Sequence, residues 1–172
     1  MSGIYGIDPF FTYTFDDKSY NNSNNCREYD PACLMSYLIQ HHPKFASIVK
    51  NSKYYVGIFS DRQYRGTIFL PKEESIPESL MDNMDINFSR RFIDAHSMDG
   101  FFPKTVLMTS PYQQLQSRIK GQMITAAMYQ IPSLQNEISL ILNDSAVIER
   151  FDVKTENAFV HIISRQIGRA HV

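Results

Sequence analysis

Apolar residues in the first half of the chain recur at intervals of three and four, the spacing of one face of an α-helix. Asp30-Pro31 is suited to the N-cap and first position of a helix, and Pro43 marks the start of a second helix. A third helix is predicted near Ile86–Ala95, where three side chains share one face: Phe88, Phe92 and Ala95. A short strand at 67–70 and helical turns at 77–81 separate these helices.

From Lys104 onward the apolar pattern alternates residue by residue, which predicts strands. The predicted strands cover residues 106–109, 114–119, 122–129, 138–142, 146–148 and 159–163. Lys120-Gly121 is the predicted two-residue turn between the second and third of these strands. Helices followed by strands predict an α+β fold, with the helices packed on one side of a mainly antiparallel sheet of about six to seven strands.

The same pattern divides the chain into three parts. Residues 1–29 contain a patch rich in Asn and Ser and predict a flexible N-terminal extension. Residues 30–166 form one predicted domain, a size that suits a single core. Residues 167–172 show no periodicity and coincide with one translation of a widely used sequencing adapter. We therefore expect this tail to be foreign to a native chain that has been cut short.

Charge and hydropathy argue against a nucleic-acid partner and against a membrane-spanning helix. The 172 residues carry 17 basic and 18 acidic side chains, a net charge of −1, so no cationic surplus is available for a nucleic-acid backbone. No apolar run approaches the ~20 residues that a membrane-spanning helix requires. The start of the chain has neither the basic nor the apolar region of a secretory signal.

Candidate catalytic and metal-binding residues are few. Cys26 and Cys33 are too few for a structural zinc site, and they remain either a disulfide or two free thiols. His41-His42 has no third metal ligand nearby, and no glycine-rich phosphate loop is present. We predict no catalytic, cofactor-binding or metal-binding residue and no cofactor. Three Asn-x-Ser sequons offer possible glycosylation sites, at Asn21, Asn87 and Asn143.

Three separated blocks of the sequence follow the pattern of one known domain. The first is 45–50 followed by Thr67-Ile-Phe-Leu-Pro71, and the second is Phe92-Ile-Asp-Ala-His96 leading to Gly100. The third joins 142–153 to Asn157-Ala-Phe-Val-His-Ile-Ile163. In this order the blocks resemble the fasciclin domain, and the third is similar to the closing hairpin of that family. Ala95 stands where the family has the Tyr of a Tyr-His pair that is tied to integrin adhesion in some animal relatives. The structural positions that the resemblance implies are Thr67, Phe69, Pro71, Asn143, Asp152, Asn157 and His161.

The resemblance implies a non-enzymatic, extracellular adhesion or interaction domain that binds protein or glycan partners on a cell or matrix surface. The predicted contact residues lie at a helix end and its turn, where loops on a rigid scaffold often carry recognition: Asp94, His96, Met98 and Gly100. The alternative is an unsecreted structural component of a virus particle or an intracellular assembly. Glycans at Asn87 or Asn143 would favour the first hypothesis, and free thiols would favour the second.

Overall fold

A seven-stranded sheet organises the residues that the computed structural model describes, which are 25–26, 30, 32–131 and 137–167. Its strands are β1 (Gly66–Pro71), β2 (Ser97–Asp99), β3 (Tyr112–Gln116), β4 (Met123–Ile131), β5 (Glu137–Leu142), β6 (Ala146–Lys154) and β7 (Ala158–Ile163). Their order is β2-β1-β7-β6-β5-β4-β3, and only the β1–β7 pair is parallel. The predicted α+β class with a mainly antiparallel sheet is confirmed.

The described part of the chain contains six α-helices. They are α1 (Leu34–His41), α2 (Pro43–Ser52), α3 (Tyr54–Ser60), α4 (Glu78–Asp82), α5 (Ile86–Ala95) and α6 (Lys104–Leu107). A 3₁₀ turn at Glu73–Ser75 follows β1. The predicted bounds of α5 are confirmed, and α2 begins at Pro43 as predicted.

Two predictions for the helical residues are wrong. Helix α1 begins at Leu34, three residues after the predicted start, because Cys33 has an extended backbone that separates the helix from the turn in which Asp30 accepts the N–H groups of Ala32 and Cys33. The predicted strand at 106–109 is helix α6 and the turn after it, because Pro103 sets its N-terminus and the alternation of so short a segment does not distinguish strand from helix.

The predicted β3–β4 hairpin is confirmed, but its loop is longer than two residues. Leu115 pairs with Ile124, and β3 ends at Gln116 while β4 begins only at Met123. The Gln116 side-chain amide donates to three loop carbonyls and holds this longer loop in place.

Two apolar clusters cover the two faces of the central strands. On one face, α1–α3 and α5 pack on β1 and β7 through residues such as Phe45, Phe59 and Val160. On the other face, Phe69 and Ile163 join residues from β3–β6 and α6. Strand β7 is thus buried on both sides, which fits its nearly continuous run of apolar residues.

The ends of the chain are described only in part. Asn25 forms an isolated bridge with Asp61, and Cys26 is buried, whereas the rest of the predicted extension lies outside the described residues. Of the predicted foreign tail, Ile167 is described and buried, and 168–172 lie outside the described part.

Candidate functional site

A groove of about 880 Å³ opens beside α5. Three segments that are distant in the sequence form most of its walls, α5 itself, the β3–β4 loop and the segment that follows β7, and Ser75 of the 3₁₀ turn also lines it. Side chains from these segments include Phe88, Arg91, Phe92, Ile119, Arg165 and Ile167. Ligand pockets in proteins commonly enclose about 300–1,000 Å³, a range that includes this groove.

Helix α5 places an apolar face toward the groove. It begins at Ile86 because the Asp85 carboxylate caps it, accepting the N–H of Phe88 at 2.7 Å. The three residues predicted to share a face, Phe88, Phe92 and Ala95, all line the groove. Phe92 is buried, whereas Phe88 remains 42% exposed, so the outer half of this face is available to a partner.

The charge at the groove is cationic on balance. Arg91 and Arg165 are exposed, and neither forms an ion pair with any residue that the structure describes. Asp85 also lines the groove, but its carboxylate is engaged at the helix N-terminus. An occupant that carries a carboxylate would therefore be favoured.

His96 is buried in the floor of the groove. Its Nδ1–H donates to the carbonyl of Phe92 at 2.8 Å, and its Nε2 accepts the N–H of Ile167 at 2.9 Å. Its ring stacks on that of Phe92, with centroids 4.5 Å apart. Burial lowers the pKa of His96 to about 4, so the ring is neutral near pH 7. His96 therefore joins α5 to the segment after β7.

The other three predicted contact residues take part in packing. Met98 is 2% exposed, and the carbonyl of Gly100 accepts the hydroxyl of Thr67. Asp94 is half-buried and accepts the hydroxyl of Tyr55, which in turn accepts Nε of Arg118 at 2.9 Å. In this arrangement His96 and Met98 have no exposed surface to offer, and a contact role for the four residues stays a prediction.

The closing hairpin is held by His161, which is fully buried. Its Nε2–H donates to the carbonyl of Phe102 at 2.8 Å, and its Nδ1 accepts the N–H of Asp152 at 3.1 Å. Burial lowers the pKa of His161. The ring stacks on Phe69, and the Asp152 carboxylate accepts the N–H of Lys104. His161 thus ties β7 to the loop before α6 and has no free nitrogen.

The other positions that the resemblance implied also have structural contacts. Asn157 accepts the N–H of Leu34 and donates to the carbonyls of Phe59 and Asp61. Pro71 ends β1 opposite Ile163. Asn143 has φ of 47° and accepts the N–H of Thr125 at 2.8 Å.

The structure resolves the alternative for the two cysteines. Cys26 and Cys33 form a disulfide, so no described cysteine is free. Cys33 lies directly before α1, whose first N–H is bound by Asn157. The disulfide therefore anchors Cys26 beside the start of β7 and leaves Cys33 without a thiolate.

A comparison with protein families decides the identity of the domain. The model of the fasciclin domain matches residues 40–168, which is most of the chain. The chain belongs to the fasciclin family. The resemblance drawn from the three sequence blocks is confirmed, and the family is generally an adhesion-type domain without enzymatic activity that acts outside the cell or at its surface.

Solved structures agree on the fold of this fasciclin domain. The chain is similar to a FAS1 domain pair from the insect cell adhesion molecule fasciclin I, with a TM-score of 0.62 and 16% sequence identity. The similarity covers 83% of this chain and 52% of the other, so this chain spans about half the length of that structure. No curated protein sequence matches significantly.

Sequence reasoning missed most of the groove of the fasciclin domain. The shared face of Phe88 and Phe92 was a local signal, whereas the approach of Ile119 and Arg165 depends on tertiary packing.

Of the predicted glycosylation sequons, two lie in the described residues. Asn87 is exposed on α5 while Ser89 of the same sequon is buried, and Asn143 is partly exposed in a turn. Asn21 lies outside the described residues. No described helix combines the length and apolar character that crossing a bilayer requires.

Proposed function

We propose that this fasciclin domain is a non-enzymatic interaction domain that binds protein or glycan partners at a cell or matrix surface. Its family supports this role, and the observation that carries the proposal is the open groove beside α5. The half-exposed ring of Phe88 offers apolar contact there, while Arg91 and Arg165 offer charge. The groove is suited to a segment of a partner protein that presents an apolar side chain and a carboxylate.

The disulfide supports a location outside the reducing cytosol. Disulfides persist in oxidising compartments and are rare where thiols are kept reduced. The Cys26–Cys33 bond therefore favours the surface role over an unsecreted structural component. Mass spectrometry under alkylating conditions on protein from its native source tests this point, since two alkylated thiols would instead favour the unsecreted role.

Attachment of cells to surfaces coated with the disulfide-bonded chain tests the proposed function. Three coatings are compared: the wild type, the double variant Phe88→Ser/Arg91→Glu, and Ile138→Ser. Ile138 is a matched control because it is 48% exposed and lies on β5, away from the groove. We expect attachment to fall at least fivefold for the double variant and to stay within twofold for the control.

The outcomes distinguish the adhesion role from the assignment of the groove as the contact surface. Wild-type attachment no greater than that on an inert coating would contradict the adhesion role. Attachment that the double variant retains in full would exclude the groove as the contact surface. Thermal unfolding of all three proteins must agree within a few degrees, since the substituted residues are exposed.

A further inference from the structure

Cations surround a pair of aromatic rings near the start of β7. The guanidinium carbon of Arg65 lies 5.7 Å from the ring centre of Phe101, and Nζ of Lys154 lies 4.9 Å from the same centre. Lys154 is also 5.1 Å from the ring centre of Phe159, which contacts Phe101 edge to face. Nζ of Lys104 lies 4.9 Å from the ring centre of Phe151, and the backbone N–H of Lys104 donates to the carboxylate of Asp152, two residues before Lys154. We call Arg65, Phe101, Lys104 and Lys154 the cationic face.

Backbone contacts fix this face in place. The N–H of Phe102 donates to the hydroxyl of Thr67, and its carbonyl accepts Nε2 of His161. One guanidinium nitrogen of Arg65 donates to the carbonyls of Arg62 and Tyr64, each at 2.7 Å. The loop that carries Phe101 and the guanidinium of Arg65 are therefore held before any partner binds, which reduces the entropy lost on binding.

Other groups already engage the carboxylates nearby. Arg62 pairs with both Asp30 and Glu156, and Arg118 pairs with Asp99 at 2.5 Å. The Asp152 carboxylate accepts a backbone N–H.

The three cations of the face, by contrast, form no ion pair within the described part of the chain. Arg65, Lys104 and Lys154 are all exposed. This face therefore carries positive charge that is available to a partner, although the whole chain has a net charge of −1.

We propose that the cationic face binds a sulfated polysaccharide. The proposal rests on the interaction role proposed above and names a partner class for a second surface. A linear polyanion can contact several fixed cations at once, and a planar guanidinium suits a tetrahedral oxyanion. The ring of Phe101 has cations on it, so it does not offer the open apolar pocket that anchors a peptide side chain.

The cationic face and the groove are separate surfaces. Phe159 lies near the first residue of β7, whereas the groove includes Ser164 and the residues that follow the strand. No residue of the cationic face lines the groove. Each surface can therefore be tested without altering the other.

Binding of the disulfide-bonded chain to immobilised heparin is the test, measured at about 50 mM and 300 mM salt. We expect Arg65→Ala/Lys154→Ala to raise the dissociation constant at least tenfold at low salt. Arg90→Ala is the matched control, because Arg90 also lies over an aromatic ring, with its guanidinium carbon 3.7 Å from the centre of the Tyr54 ring. The control should stay within twofold, and wild-type affinity should fall steeply at the higher salt because the contacts are ionic.

Competing ligands decide the class of partner. Hyaluronan, which has carboxylates but no sulfates, an acidic peptide, and vesicles that contain phosphatidylserine are each compared with heparin. Heparin should compete best, and stronger competition by any of the three would overturn the proposal. Equal weakening by Arg90→Ala would also overturn it, because binding would then follow net charge and not this face.

If the wild-type chain does not bind heparin at low salt, only the proposal that the cationic face binds a sulfated polysaccharide is refuted. Cell attachment that depends on Phe88 and Arg91 would still support the proposed function in that case. If heparin binds as expected but cells do not attach, the sulfated-glycan proposal stands and the adhesion role of the groove fails. Thermal unfolding confirms that every variant is folded.

Discussion

Two buried histidines, His96 and His161, hold different parts of this fasciclin domain through opposite arrangements of their ring protons. His161 carries its proton on Nε2 and joins β7 to the loop before α6, inside the core. His96 carries its proton on Nδ1 and joins α5 to Ile167 at the floor of the groove. In both, one nitrogen donates to a carbonyl and the other accepts a backbone N–H, so each ring has to be neutral. A buried neutral histidine therefore stabilises the core at position 161 and the floor of the groove at position 96.

The largest expected effect comes from removing His161. His161→Ala leaves the Phe102 carbonyl and the Asp152 N–H without partners and removes the ring that stacks on Phe69. An unsatisfied buried group costs about 1–3 kcal/mol, so we expect the free energy of unfolding to fall by about 4 kcal/mol. Urea denaturation measures the change. A loss below about 1 kcal/mol would mean that the His161 bonds contribute little to stability.

Acid is expected to destabilise the folded protein through its buried histidines. The pKa of His96 is about 4 in the folded protein and about 6.5 in the unfolded chain, so the unfolded chain binds more protons between these values. The contribution of neutral His96 is full above pH 6.5 and is lost as the pH falls toward 4, by about 3 kcal/mol in total. Burial also lowers the pKa of His161 and of His42, which adds loss of the same sign.

A variant isolates the share of His96 in this acid effect. The free energy of unfolding is measured from pH 7.5 to 4 for the wild type and for His96→Leu, which cannot titrate at this position. The wild type should lose about 3 kcal/mol more than the variant over this range. Parallel curves would show that His96 does not have the low pKa on which this comparison depends.

How far the sequence predicts these regions depends on how local their signals are. The bounds of α5 and the doubly buried β7 follow from periodicity within single segments, and Asn157 and His161 lie in one continuous block that resembles the family. Helix α6 was predicted as a strand because four residues carry too little periodicity to separate the two. Helix α3 was not predicted, since Tyr55, Val56 and Phe59 lie in a short run without a capping residue.

Both candidate binding surfaces lie beyond such local signals. The groove combines α5 with Ile119 and Arg165, and the cationic face combines Arg65 with Phe101 and Lys154. The parallel pairing of β1 with β7 connects distant parts of the chain, and contacts such as the bond from the N–H of Ile167 to His96 bring the segments together. A single sequence contains no direct signal for that pairing.

The smallest change in stability is expected where the family places a tyrosine before the histidine. Ala95 lines the groove and is partly exposed, so Ala95→Tyr should place the ring in the groove and change the free energy of unfolding by no more than about 0.5 kcal/mol. Cell attachment through the groove should nevertheless fall several-fold, because the ring would occupy space needed by the partner. Ala127→Tyr, on β4, is the control. If Ala95→Tyr instead strengthens attachment, the helix end acts as the contact surface of the Tyr-His type, and His96 then supports recognition as well as the fold.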